Sequence, residues 1–161
     1  VQLRAPTLVN EAQECLGGAG YVEESMLPRL YRQAPLNSIW EGSGNIQCLD
    51  VLRALHREPA AGAVLWKELQ SAGQRHGDHA AAIEALRAPL NDPARINEAG
   101  ARHLVERLAL ALQASVLLQA GSPAAEAFCS SRLGGAHGFA LGTLAADVPV
   151  QSLLDRVLAS A

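Results

Sequence analysis

The chain has 161 residues, enough for one domain with a modest core or for a piece of a larger protein. Its net charge is −3, with five Arg against seven acids in residues 1–60 and eight Lys and Arg against nine acids in residues 61–161. That balance excludes the bulk electrostatic footprint of a nucleic-acid binder, and no apolar run is long enough to span a bilayer.

Ala, Leu, Glu, Gln and Arg are abundant, whereas Thr occurs only twice. Strong helix formers dominate and the expected class is all-α. The chain opens at Val1, without an initiator Met or a signal-like apolar segment, so it is expected to be a trimmed chain or a piece of a longer one. Residues Pro6 to Leu16 carry a helical pattern, and Gly17-Gly18 is a C-terminal stop for it. Gly17 to Tyr21 then reads as a tight, flexible connection. A short helix is predicted near Pro28 to Gln33, broken by Pro35. Gly42-Ser43-Gly44 opens a helix whose Ile46, Leu49, Leu52 and Leu55 share one face. Glu58-Pro59 marks a boundary between residues 1–58 and residues 59–161.

Beyond it, helices are predicted over Ala63 to Gln74, with Leu65 and Leu69 inward, and over Ala80 to Leu86. Asn91-Asp92-Pro93 is a start signal for a long Leu-rich run ending at Ala120. Ser122-Pro123 repeats that chemistry ahead of a helix through Arg132. Leu133 to Pro149 is glycine-rich loop, and Val150 to Leu158 is a closing helix. The loop holds Phe139 and Leu141 but lacks the basic amphipathic face of a membrane-binding segment.

Few residues are candidates for chemistry. Glu41, in the stretch SIWEGSGNI, follows Ile39 and Trp40 and precedes two glycines. Two readings are open: a negative charge near a helix N-terminus, or a base whose pKa rises beside apolar neighbours. Leu16 to Tyr21, LGGAGY, follows a helix rather than a strand, so it is no dinucleotide fingerprint; its two readings are backbone amides that cradle a phosphate and, more commonly for such a sequence, a structural turn. Cys15, Cys48 and Cys129 have neither disulfide nor zinc spacing and are expected to be buried free thiols in a reducing, cytoplasmic compartment. His76 and His79 bracket Gly77-Asp78 and read as solvated loop residues. No metal-ligand pattern, Walker loop or GxSxG is present.

The two glycine motifs occur together and in order. EAQECLGGAGY followed by LPRLYRQAPLNSIWEGSGNI resembles the C-terminal helical domain of the acyl-CoA dehydrogenase family. PRLYRQAPLNSIWEGSGNIQCLDVLRAL resembles its AidB-type alkylation-response branch, with Trp before the Glu and Ser-Gly-Asn-Ile after it. The detailed likeness covers residues 5–57. It implies a helical bundle in residues 1–58 with an added helical layer in residues 59–161.

The resemblance implies that Glu41 removes the α-proton of an acyl-CoA thioester while a hydride passes to FAD. It places Trp40 and Gly42 against the substrate and Ser43 and Asn45 against FAD. It brings the turn at Glu14, Leu16, Gly17 and Gly18 to the FAD of a neighbouring subunit, in a dimer or tetramer. Family members usually carry Gln where this chain has Glu14, and a carboxylate cannot donate as an amide does. Most of the flavin and acyl-CoA site would lie outside these residues, so the chain alone is expected to be inactive with an incomplete FAD site. The AidB-type branch also implies an alternative, double-stranded DNA binding with vestigial dehydrogenation, in which Arg53 faces DNA. A tetramer would line up Arg53, Arg57, Arg95 and Arg102 as its basic surface.

Overall fold

A computed structural model describes residues 4–40, 42–92 and 97–159. Every regular element among them is helical; the one strand-like feature is an isolated bridge between His137 and Leu144. The all-α class follows from the shortage of β-branched residues and the 3.6-residue apolar spacing. The chain divides into two compact units, Val1–Asp50 and Val51–Ala161.

In the first unit, α1 (Ala5–Cys15) has Pro6 in its first turn, where its fixed φ suits the helix and its missing N–H costs nothing. Gly17 ends it at φ 57 and ψ −139, a conformation only glycine adopts at low cost. The segment expected as a flexible connection is instead a helical turn, α2 (Gly18–Tyr21), packed on α1. α3 (Leu27–Gln33) has Pro28 in its first turn. Pro35 stops it as expected: the chain tightens into a 3-10 turn, Ala34–Ser38, because proline cannot supply the next helical N–H. α4 (Gly44–Arg57) starts in this unit. Gly20, Pro28 and Ala34 are its buried residues in these elements, while Leu8, Tyr21, Met26, Ile39, Trp40 and Ile46 are exposed. The expected α4 stripe therefore holds for half-buried Leu49 and buried Leu52 and Leu55, but not for Ile46.

The second unit contains the end of α4, then α5 (Pro59–Gln70), α6 (Gly77–Asn91), α7 (Ala101–Gln119), α8 (Ala125–Arg132) and α9 (Val150–Leu158). α7 packs against α5, α6 and α8. Its buried residues, Ala101, Leu104, Leu108, Ala111 and Ser115, recur at alternating three- and four-residue steps, and Ala111 and Ala114 allow close approach. Leu69 and Leu86 are fully buried against it, and Leu65 is half-buried.

Several boundaries differ from the sequence reading. α5 starts at Pro59 rather than Ala63, since a proline at the first helical position needs no N–H partner. Asn91-Asp92 does not start the long helix; it ends α6, with the Asp92 N–H donating to the Ala88 carbonyl at 3.2 Å. Pro93 lies outside the described residues. The start signal that operates is Asn97, whose Oδ1 accepts from the Gly100 N–H at 2.9 Å, in the 3-10 turn leading into α7.

The thiols and histidines also require correction. Cys15 is exposed and Cys48 half-exposed; Cys129 alone of the three is buried. Cys15 is the last residue of α1, a helix with no buried residue, so its apolar character was not enough to bury it. His76 caps α6, its Nδ1 accepting from the Asp78 N–H at 3.2 Å. His79, expected in solvent, is completely buried on α6. It lies four and seven residues before buried Ile83 and Leu86, and that spacing puts it on the helix face turned to the core.

Candidate functional site

The residues expected to meet flavin and substrate fall in two groups, both in the first unit. The first is the end of α1. Glu14, Leu16, Gly17 and Gly18 are all exposed. The Leu16 N–H donates to Gln13 O at 3.1 Å and the Gly17 N–H to Glu14 O at 3.0 Å, which closes the helix. A Cβ on Gly17 or Gly18 would meet nothing within 4 Å, so the turn offers bare backbone to a neighbouring molecule.

Gly20 has a different task, which the sequence reading missed. A Cβ there would sit 2.5 Å from the Gln13 carbonyl oxygen and 2.9 Å from its Cα. Glycine at this position lets α2 lie directly on α1, and Gln13 Nε2 donates across the contact to Gly20 O at 3.2 Å. The recognisable signal was the third glycine of GGAG at helical spacing from Gly17. Gly20→Ala is expected to destabilise the first unit by about 1–3 kcal/mol, because backbone cannot swing aside as a side chain can. Gly18→Ala, entering open space, serves as the control. Equal chemical-denaturation midpoints for the two variants would contradict the close-packing role.

The second group lies ahead of α4. Trp40 N–H donates to Leu36 O at 3.2 Å, so the 3-10 turn sets its backbone, and its side chain is 59% exposed. Ile39 is 65% exposed. The apolar setting expected for Glu41 is therefore not made by these two neighbours buried within the chain. Glu41 itself lies outside the described residues. Gly42 has φ 107, and the Gln47 side-chain Nε2 lies 2.8 Å from where its Cβ would be. The positive φ is what favours glycine there, since the tip of the Gln47 side chain could move aside. Ser43 and Asn45 are exposed at the start of α4, and Ser43 O accepts from the Gln47 N–H at 3.0 Å.

An open groove of about 930 Å³ is lined by Glu14 and Gly17 together with Asn10, Gln13, Tyr21 and Tyr31. None of Trp40, Gly42, Ser43 or Asn45 lines it, so this groove unites only part of the expected site. At its rim Arg32 grips the Glu23 carboxylate at 2.6 and 3.2 Å. The pair holds the Glu23 pKa below its ordinary value, chiefly through the hydrogen bond.

Arg53 is exposed on the part of α4 that belongs to the second unit. Arg57, one turn further on the same face, and Arg102 are also exposed; Arg95 lies outside the described residues. Among the described residues no group of three His, Cys, Asp or Glu could hold a metal ion, and no helix is long and apolar enough to cross a membrane.

The model of the acyl-CoA dehydrogenase C-terminal domain matches residues 3–56, a range that takes in both groups. Residues 3–56 thus match the C-terminal domain of the acyl-CoA dehydrogenase family. Within the family the chain resembles the AidB-type branch. It is 44% identical over 132 residues to AidB of Escherichia coli (strain K12), a match covering 81% of this chain and 24% of AidB. It is 50% identical over 50 residues to acyl-CoA dehydrogenase family member 11 of Caenorhabditis elegans, covering 31% of this chain and 8% of that protein. The chain thus spans about a quarter of the first relative and less of the second. The likeness to AidB is more than twice as long as the stretch preceding Pro59, so it extends well into the second unit.

Proposed function

We propose that these residues are the C-terminal portion of an FAD-dependent acyl-CoA dehydrogenase-like flavoprotein in which Glu41 takes the α-proton of an acyl-CoA thioester. Residues 1–58 would be part of the family's helical bundle and residues 59–161 its helical extension. The observation that carries the reading is the Gly42 backbone, at φ 107, a conformation that favours glycine, immediately after Glu41 and before α4. Such a turn leaves the main chain beside the carboxylate open to a substrate, and an exposed N–H there can hold a thioester carbonyl and acidify the α-proton.

The residues present fit a flavin in one respect: Gly17 and Gly18 offer bare backbone, and Ser43 and Asn45 are solvent-facing. Glu14, Leu16, Gly17 and Gly18 would meet FAD held by a second subunit, and Ser43 and Asn45 FAD of their own. FAD, when bound, would accept the hydride from the β-carbon. Trp40 would wall the acyl-CoA pocket and exclude water from the carboxylate, raising its basicity. A homo-oligomer, dimer or tetramer, is the assembly this sharing requires, and the cytoplasm is its proposed compartment. The double-stranded DNA alternative has less behind it: Arg53 faces solvent on α4, and the net charge of −3 works against it.

Anaerobic addition of acyl-CoA to the full-length, flavin-loaded protein tests the reading. Bleaching of the oxidised flavin absorbance is expected with at least one chain length. Retained flavin with no bleaching and no exchange of the α-proton, from short through long acyl chains, would reject it.

A further inference from the structure

In the second unit a buried chain of polar groups joins three helices. His79 of α6 has no solvent exposure, and its Nε2 lies 2.7 Å from Ser115 Oγ of α7. Ser115 Oγ donates to the Leu69 carbonyl of α5 at 3.0 Å. A hydroxyl has one proton, and it is committed to Leu69; Ser115 Oγ therefore accepts from His79, and Nε2 carries the imidazole proton. Nδ1 is then a bare acceptor, and it has no hydrogen-bond partner among the described residues. We propose that the His79–Ser115–Leu69 chain is an acid-sensitive latch: it holds the three helices together with a neutral imidazole, and the helices loosen when His79 takes up a second proton at Nδ1, because the buried charge that results is uncompensated.

The charge balance around the ring supports this. On α6 the titratable neighbours are His76 and Asp78. His76 opposes a second positive charge, and Asp78 acts on Cys129 of α8, whose thiol burial keeps protonated. α5 presents the Leu69 carbonyl, and its Glu68 is engaged at the exposed surface by Gln119 Nε2 at 3.0 Å. α7 presents Ser115 and the Ala111 carbonyl. No carboxylate is bonded to the ring, so an imidazolium here would be a buried charge without a counter-ion.

Burial first, then His76, pushes the His79 pKa below its ordinary value of 6.5, while the Ala111 carbonyl pushes back. As the pH falls, the unfolded chain therefore takes up this proton before the folded one. The stability contributed by neutral His79 is present above the ordinary value and lost progressively as the pH falls toward the depressed one.

The test compares the whole chain with His79→Gln between about pH 7.5 and 5, reading the thermal midpoint and the amide exchange of α5, α6 and α7. The wild-type midpoint is expected to fall by about 5 °C or more. The fall should be less than half as large in His79→Gln, because the amide does not titrate. Imidazole nitrogen resonances of the wild type should show the Nε2–H tautomer persisting below the pH at which exposed histidines become charged. Equal falls in the two proteins, or His79 titrating with the exposed histidines, would overturn the latch. Should His79→Gln fail to fold at neutral pH, the imidazole titration decides alone.

Discussion

Glu41→Gln in the full-length protein is expected to lower acyl-CoA dehydrogenation by roughly 10²–10⁴-fold while FAD remains bound, the range lost when a positioned base is removed. The substitution preserves size, and the φ 107 of Gly42 is a property of glycine's own backbone. The amide, however, cannot accept the α-proton. The loss should fall on kcat with little change in KM, as for an interaction made in the transition state. Two readouts separate this from simple damage: flavin content, which should hold, and exchange of the α-proton of a bound acyl-CoA with solvent, which should stop. Continued exchange in the variant would remove Glu41 from the role of base. It would leave the other reading of that residue, a charge placed favourably near the start of α4.

Leu69→Ala is expected to cost about 2–5 kcal/mol and to unfold the second unit before the first on heating. Leu69 has no exposed surface and sits where α5 meets α7. Its main-chain carbonyl is already held by Ser115, so the backbone cannot move far to fill the cavity. That restraint puts the cost toward the upper part of the range, because the penalty grows with the volume that fails to collapse. Leu69→Met, which nearly conserves volume, should cost less than about 1.5 kcal/mol. Hydrogen exchange of α5 and α7 amides locates the loss; a uniform change across both units would argue against Leu69 as a core residue of the second.

The stop at Gly17 and the break at Pro35 were legible in the sequence because each is a property of one residue's own backbone. The start of α7 was misplaced because Asn91-Asp92-Pro93 and Asn97 carry similar capping chemistry. α6 continued through Asn91, and Asn97 became the cap. Around the candidate site, the glycines and Glu41 were recognisable as a contiguous pattern. The division of labour between Gly17 and Gly20 was not, since an open turn and a close helix contact both call for glycine.

Helical class, most of the α4 apolar stripe and the family likeness of residues 3–56 were determined by the sequence alone. Each depends on local propensity, on spacing along one helix, or on residues adjacent in the chain. Tertiary structure alone decided that His79 is inside and Cys15 outside. His79 and Ser115 are 36 residues apart, and no local rule relates them until α6 and α7 bring them to 2.7 Å. The physical reason is that burial belongs to the face on which helices meet. A polar ring on that face is retained if a partner such as Ser115 satisfies it, and a small apolar thiol off that face stays in water.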